Sequence, residues 1–308
     1  MSLLTLARWT QPNYARLASS RGRAQVLTIP YSHFCELGQW ALESAHIEYD
    51  EHAFAPGQNV LPMLSLRVAG KQRHLARTSA VSRVEPVDAT ATTEKMKPYK
   101  PHHPTSVPAC VLPDGEVLVD SWSMLGHAAA SVGMPPPSAE LQACLDQDIG
   151  PLIRQALYEV IFRQGNRAKW DGLVTQDRGV AWSLAWRHLG LGSKMTDTMV
   201  KLFRTDDPQA VALGRQRLYD ALARLEQRHD LDVVQPCSFS DVAIAAMCAP
   251  MALPPLFARG RYKHWFDLLL EEDEQMREEV EQFRRTPAGR HCLRVYEACR
   301  MGPLPSSA

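Results

Sequence analysis

The sequence predicts an α/β domain followed by an all-α domain, on three observations. Residues 25–45 read as strand, turn and helix. Residues 107–132 read as a hairpin feeding a second helix. Beyond a proline-rich break at residues 133–137, only helical periodicity recurs.

In the first stretch Val26, Leu27 and Ile29 form a short β-prone apolar run, and Pro30 ends it because proline has no N–H for a ladder. From Phe34 the period becomes helical, with Phe34, Leu37, Ala41 and Ala45 on one face. The polar side chains of Tyr31, Ser32 and Cys35 therefore fall at or near a helix N-terminus. Unpaired N–H groups and the positive end of the helix dipole stabilise a thiolate or another anion there, and Ser32 can cap the helix or donate a hydrogen bond. On these residues alone, Ser32 as an ordinary N-cap and Cys35 as a small buried hydrophobe fit equally well.

Ile47 and Tyr49 alternate with Glu48 and Asp50, which predicts a second, partly exposed strand. Residues 56–105 are the least regular part of the chain. They hold Pro56-Gly57, a short helical pattern near Leu61–Val68, and Lys97-Pro-Tyr-Lys-Pro-His-His-Pro104. His102 and His103 read as solvated loop residues, because no Cys or carboxylate stands at ligand spacing beside them. Asp114-Gly115 between two apolar runs predicts a hairpin, and Pro113 lengthens its turn. Asp120-Ser121 then opens a helical pattern through Trp122, Leu125, Ala129 and Val132. The order β-α-β…β-β-α is the thioredoxin-like arrangement.

Past Gly133-Met-Pro-Pro-Pro137, helical patterns recur at about 139–164, 177–203, 208–228, 238–249, 261–285 and 287–300. Asp207-Pro208 and Thr286-Pro287 set a capping side chain just before a proline suited to the first turn. Ser238-Phe-Ser-Asp241 is a capping box ahead of a run of small apolar residues, which predicts a helix through the middle of this domain. The domains are predicted as an arm at 1–23, a thioredoxin-like domain at 24–134 and an all-helical domain at 138–308.

Composition narrows the function. With 34 basic and 34 acidic residues among 308, the chain offers no electrostatic case for nucleic acid. No apolar stretch approaches the roughly 18 residues of a membrane span. The seven cysteines are scattered, with no C-x-x-C pair, so neither a disulfide scaffold nor a metal site is predicted and a reducing compartment fits better. Arg8, Arg16, Arg21 and Arg23 precede any acidic residue, a faint likeness to an organelle transit peptide, yet without an amphipathic pattern the segment reads as a loose arm.

Taken in order, Ser32-x-x-Cys35 after a strand, Val107-Pro108, Asp120-Ser121, the proline linker, an all-helical domain and Ser238-x-x-Asp241 resemble the glutathione S-transferase family from about residue 24 onward. Ser-His-Phe-Cys-Glu at residues 32–36, Asp120-Ser121-Trp122 and Thr286-Pro-Ala-Gly-Arg290 resemble its bacterial serine- or cysteine-type members. The resemblance implies that Ser32 activates the glutathione thiol, with Tyr31 and Cys35 as further candidate catalytic residues. It implies that Pro108 is a cis-proline presenting the Val107 backbone to the tripeptide, and that Asp120 and Ser121 receive its γ-glutamyl end. A homodimer, a cytoplasmic location, no metal and a small, largely apolar electrophile as co-substrate are implied too. Leu152, Tyr158 and Phe162 are candidate lining residues on the first helices of the second domain.

Two departures stand out. Gly38-Gln39 replaces residues that are often basic, and the spacing from Ser32 to Pro108 is some thirty residues longer than usual, which makes residues 71–105 an insertion. Two other functions stay open: a glutaredoxin-like thiol transferase or glutathione-dependent reductase using Cys35, and a non-catalytic binding module on the same fold.

Overall fold

The computed structural model describes residues 12–69, 106–162, 166–176, 178–232 and 237–300. The expected insertion at 71–105, with His102 and His103, lies outside the described residues, as do residues 1–11.

The sheet domain holds four strands, β1 (Ala24–Thr28), β2 (Tyr49–Ala53), β3 (Ala109–Val111) and β4 (Val117–Leu118), in the order β2-β1-β3-β4. β1 pairs parallel to β2 and antiparallel to β3, with Val26 opposite both Glu51 and Cys110. The side-chain period of two divides the apolar residues between the faces. Val26, Cys110 and Leu118 point into the main core with α2 (His33–Ser44) and α4 (Ser121–Ser131). Leu27, Ala109 and Val111 face the other way, onto α3 (Val60–Ala69) and α1 (Tyr14–Arg21). All five β1 side chains are buried, because both faces of the strand are covered. Between β3 and β4 the turn is longer than two residues, as Pro113 predicts. Gly115 sits at φ 88°, and its N–H donates to the Leu112 carbonyl at 2.9 Å.

Within the expected loose arm at 1–23, the described residues Tyr14–Arg21 form helix α1. Asn13 caps it through the Arg16 N–H, Gly22 ends it in the left-handed region, and Tyr14 and Ala18 are buried against the sheet. Arg21 and Arg23 pair with Asp50 on β2, at 2.9 and 3.2 Å. One glycine fixes the packing on the opposite face. A Cβ on Gly38 would stand 2.8 Å from the Met124 sulfur and 3.3 Å from Pro108, so α2 and α4 come this close only because position 38 has no side chain.

The second domain is helical throughout its described residues. α5 (Ala139–Ala143) runs through a π-helical stretch at Cys144–Ile149 into α6 (Gly150–Phe162), so the expected helix at 139–164 is one rod with a widened segment. α7 (Arg167–Thr175) was not legible in the periodicity. The expected helix at 177–203 is two: Gly190 turns left-handed and separates α8 (Val180–His188) from α9 (Leu191–Phe203). α10 (Pro208–Arg228) follows, its cap supplied by Asp207, which accepts the Gln209 and Ala210 N–H groups. α11 (Phe239–Ala252) begins in the Ser238/Asp241 capping box and is buried on nearly every side. The span 261–285 is also two helices, α12 (Lys263–Glu272) and α13 (Glu274–Arg285), because the Asp273 side chain caps a new start through the Met276 N–H at 2.9 Å. α14 (Pro287–Cys299) opens on Thr286.

This is the predicted two-domain order, a thioredoxin-like sheet domain followed by an all-helical one. α2 is the helix through which they meet. Along its middle, Glu36 is buried against Arg300 at 3.0 Å and accepts a hydrogen bond from the Tyr296 hydroxyl, while Glu43 is held by Arg300 and Arg259. Trp122 donates to Asp146 across the same boundary at 3.1 Å, and Arg178 reaches the Ala53 carbonyl at 2.6 Å.

Candidate functional site

Where β1 ends and α2 begins, a cavity of about 290 Å³ opens between the two domains. Pro30 stops the strand, and α2 starts two residues past Tyr31, so the helix N-terminus faces this space. Tyr31, Ser32, Val107, Pro108, Asp120 and Ser121 come from three separated segments, and all six line the cavity. The seventh candidate, Cys35, does not.

Ser32 stands at the N-cap of α2 in extended conformation, yet its side chain makes no capping bond. The Cys35 sulfur accepts the Ile29 N–H at 3.3 Å. Cys35 is fully buried. Desolvation dominates its acidity and pushes the thiol up to about 12, against the smaller downward pull of Ile29 and Ser32. A thiol in that state is a poor nucleophile near neutral pH. The structure therefore takes Cys35 out of the reactive wall, because the inward face of α2 carries it into the core.

Tyr31 has a buried hydroxyl without a hydrogen-bond partner, and its ring meets Trp170 and Tyr262 edge-on at 5.7 Å. Burial, aided by the nearby Tyr158 and Tyr262 and opposed by Arg178, holds this phenol well above its ordinary pKa, so it stays a protonated donor. His33, the first residue of α2, is buried, and its Nε2 has no partner. Burial, reinforced by the Arg154 charge, keeps the imidazole well below its ordinary pKa and hence neutral at pH 7.

The Val107–Pro108 peptide is cis, and Pro108 sits between Gly38 and the cavity. Asp120 caps α4: its Oδ1 accepts the Ser123 N–H at 2.7 Å, and its own N–H donates to Ser123 Oγ at 3.2 Å. Ser121 occupies the first helical position, 2% exposed, with the α4 N-terminus behind it. Two helix starts thus converge on one space, an arrangement that favours a ligand with two electron-rich ends.

The helical domain supplies the opposite wall. Tyr158 lines the cavity; Leu152 does not, and Phe162 lies behind, 5.2 Å from the Tyr158 ring and 5.6 Å from Trp170. Sequence reasoning missed Arg154, four residues before Tyr158 on the same face of α6. It missed Asp146, which the π-helical stretch carries, and Trp170 and Met195. For Arg154 a signal existed, a charge inside the apolar pattern of the helix; for the others only the fold brings them together. Among the described residues no group of three or more His, Cys, Asp or Glu side chains could hold a metal, and no helix is long and apolar enough to cross a membrane.

No protein-family model matches the chain. No curated protein matches it in sequence. A search of solved structures matches a glutathione S-transferase from Methylobacillus flagellatus KT with GSH bound, at 12% identity and a TM-score of 0.37, covering 87% of this chain and 98% of that one. At that distance the site stands on its own geometry.

Proposed function

We propose that the cavity binds glutathione and presents its thiolate to a small electrophile, making the protein a glutathione transferase. One observation carries the reading: the six residues that the tripeptide would need, from three distant segments, share one wall, with apolar and aromatic side chains opposite. Ser32 and the α2 N–H groups would receive the sulfur, the Val107 backbone its cysteinyl unit, and Ser121 with the α4 N-terminus the γ-glutamyl carboxylate. A free thiol titrates near pH 8.5, so a hydroxyl donor and a helix N-terminus need to shift it by only about one to two units to make the thiolate abundant at pH 7. In the transfer step the thiol proton passes to solvent, the sulfur forms a bond to the electrophilic carbon, and the displaced group leaves with the bonding pair. Tyr31 is a second donor at the same wall, since its hydroxyl has no competing partner.

Burial of Cys35 weighs against the thiol-transferase alternative. Calorimetry with glutathione and conjugation of 1-chloro-2,4-dinitrobenzene test the proposal together. Ser32→Ala is expected to lower kcat/KM by about 10- to 100-fold, the worth of one hydrogen bond to a charged group, while leaving glutathione affinity nearly intact. Tyr31→Phe losing more than Ser32→Ala would move the donor role to Tyr31. A wild-type protein with no affinity for glutathione would sink the proposal.

A further inference from the structure

The feature this reading does not use is Arg154. It lines the cavity from α6, and its guanidinium lies over two aromatic rings, Phe34 of α2 at 5.0 Å and Phe203 of α9 at 5.7 Å. Among the described residues no carboxylate or carbonyl pairs with it. The two carboxylates on the cavity wall are engaged elsewhere, Asp120 in the α4 cap and Asp146 with the Trp122 indole. Stacking on two rings offsets part of the cost of removing the cation from water, but it satisfies none of the five N–H donors. The arginines that bridge the domains have protein partners: Arg300 pairs with Glu36 and Glu43, Arg259 pairs with Glu43, and Arg178 donates to the Ala53 carbonyl and the Tyr262 hydroxyl. The charge is felt across the cavity, since Arg154 helps to keep His33 neutral and pulls the Tyr158 phenol downward against its burial.

The rest of that wall is apolar, with Leu157, Ile161, Trp170 and Met199 around the Arg154 side. The space of about 290 Å³ has to take glutathione as well, which leaves room beside Arg154 for one ring rather than several. From this juxtaposition we infer that the co-substrate is a small aromatic carboxylate, its ring among these side chains and its anionic group forked against Arg154. The inference rests on the glutathione reading for its chemistry but not for its binding site. It adds an anionic group to the largely apolar electrophile expected from sequence.

Titration calorimetry with 4-nitrobenzoate and its neutral isostere 4-nitrobenzamide tests it, run beside glutathione on wild type, Arg154→Met and Arg154→Lys. The wild type is expected to prefer the benzoate by about tenfold or more, the worth of a charge-assisted hydrogen bond. Arg154→Met should erase that preference without weakening the benzamide or glutathione, and Arg154→Lys should keep part of it, a gradation that a merely misfolded variant would not give. Equal affinities for benzoate and benzamide in the wild type, or no binding of either, overturn the inference. So does an Arg154→Met protein whose glutathione affinity falls while the benzoate preference survives, because Arg154 would then serve the tripeptide. Should the wild type bind benzoate selectively but not glutathione, the carboxylate site stands and the transferase reading falls.

Discussion

Helix α2 meets the helical domain twice, and the two meetings are built on opposite terms. Along its middle, every buried charge has an opposite charge beside it, Glu36 with Arg300 and also the Tyr296 hydroxyl, Glu43 with Arg300 and Arg259, although Glu36 Oε2, Arg259 Nε and Arg300 Nη2 make no hydrogen bond of their own. At its N-terminus, polar groups are buried or half-buried and left unanswered: the Tyr31 hydroxyl, the His33 Nε2 and the Arg154 guanidinium. A network closed in charge, each carboxylate beside a guanidinium, holds two domains in one relation. An open one is a cost that folding alone does not reward, and such a cost is expected where a ligand completes the bonds.

The sharpest way to break this contrast is to damage the closed end. Arg300→Met leaves Glu36 buried without its counter-charge and is expected to cost about 3–5 kcal/mol of unfolding free energy, read by denaturant titration. Replacing Glu36→Leu in the same chain should restore much of it, since an apolar pair needs no partner. If Arg300→Met alone left stability unchanged, the network would not be what binds the domains.

At the open end the effects should appear in binding instead. Ser121→Ala is expected to weaken glutathione by about 10-fold or more in calorimetry, with little change in the unfolding midpoint, because the Asp120 cap persists. A stability loss without an affinity loss would make Ser121 a structural residue.

His33 links the two kinds of measurement. Its folded-state pKa is depressed, so the unfolded chain takes up a proton that the folded chain refuses. Stability is therefore whole above about pH 6.5 and falls as pH drops below it, by at most about 1.4 kcal/mol per pH unit from this group. His33→Gln should flatten that slope relative to wild type. An unchanged slope would mean that the imidazole protonates freely in the fold.

The smallest effect belongs to Cys35→Ala. Trimming one buried sulfur should cost about 1 kcal/mol and leave conjugation intact, and iodoacetamide should label the wild-type position slowly. Fast labelling, or lost turnover, would return Cys35 to the reactive wall.

Legibility followed local chemistry. The starts of α10, α11 and α14 were readable because Asp207-Pro208, the Ser238/Asp241 box and Thr286-Pro287 are local signals, and the structure uses each of them as a cap. The breaks at Gly190 and Asp273 were not read, although both residues carry a physical reason to interrupt a helix, because the apolar period continues across them. On the sheet side the candidate residues cluster at strand and helix ends, which sequence can locate. The facing wall was mostly hidden: Arg154 and Trp170 acquire a role only when α6 and α7 are laid across the mouth of the cavity, and nothing within their own helices says so.

The helix at Tyr14–Arg21 has a practical consequence. It covers Leu27, Ala109 and Val111 on the rear of the sheet, far from any chemistry. A shortened protein that began at Ala24, the first β1 residue, would expose that apolar surface to water and leave Asp50 without its two arginines. Self-association of such a fragment would report a missing cover rather than a native dimer, so any measurement of oligomeric state has to be made on a chain that keeps those first turns.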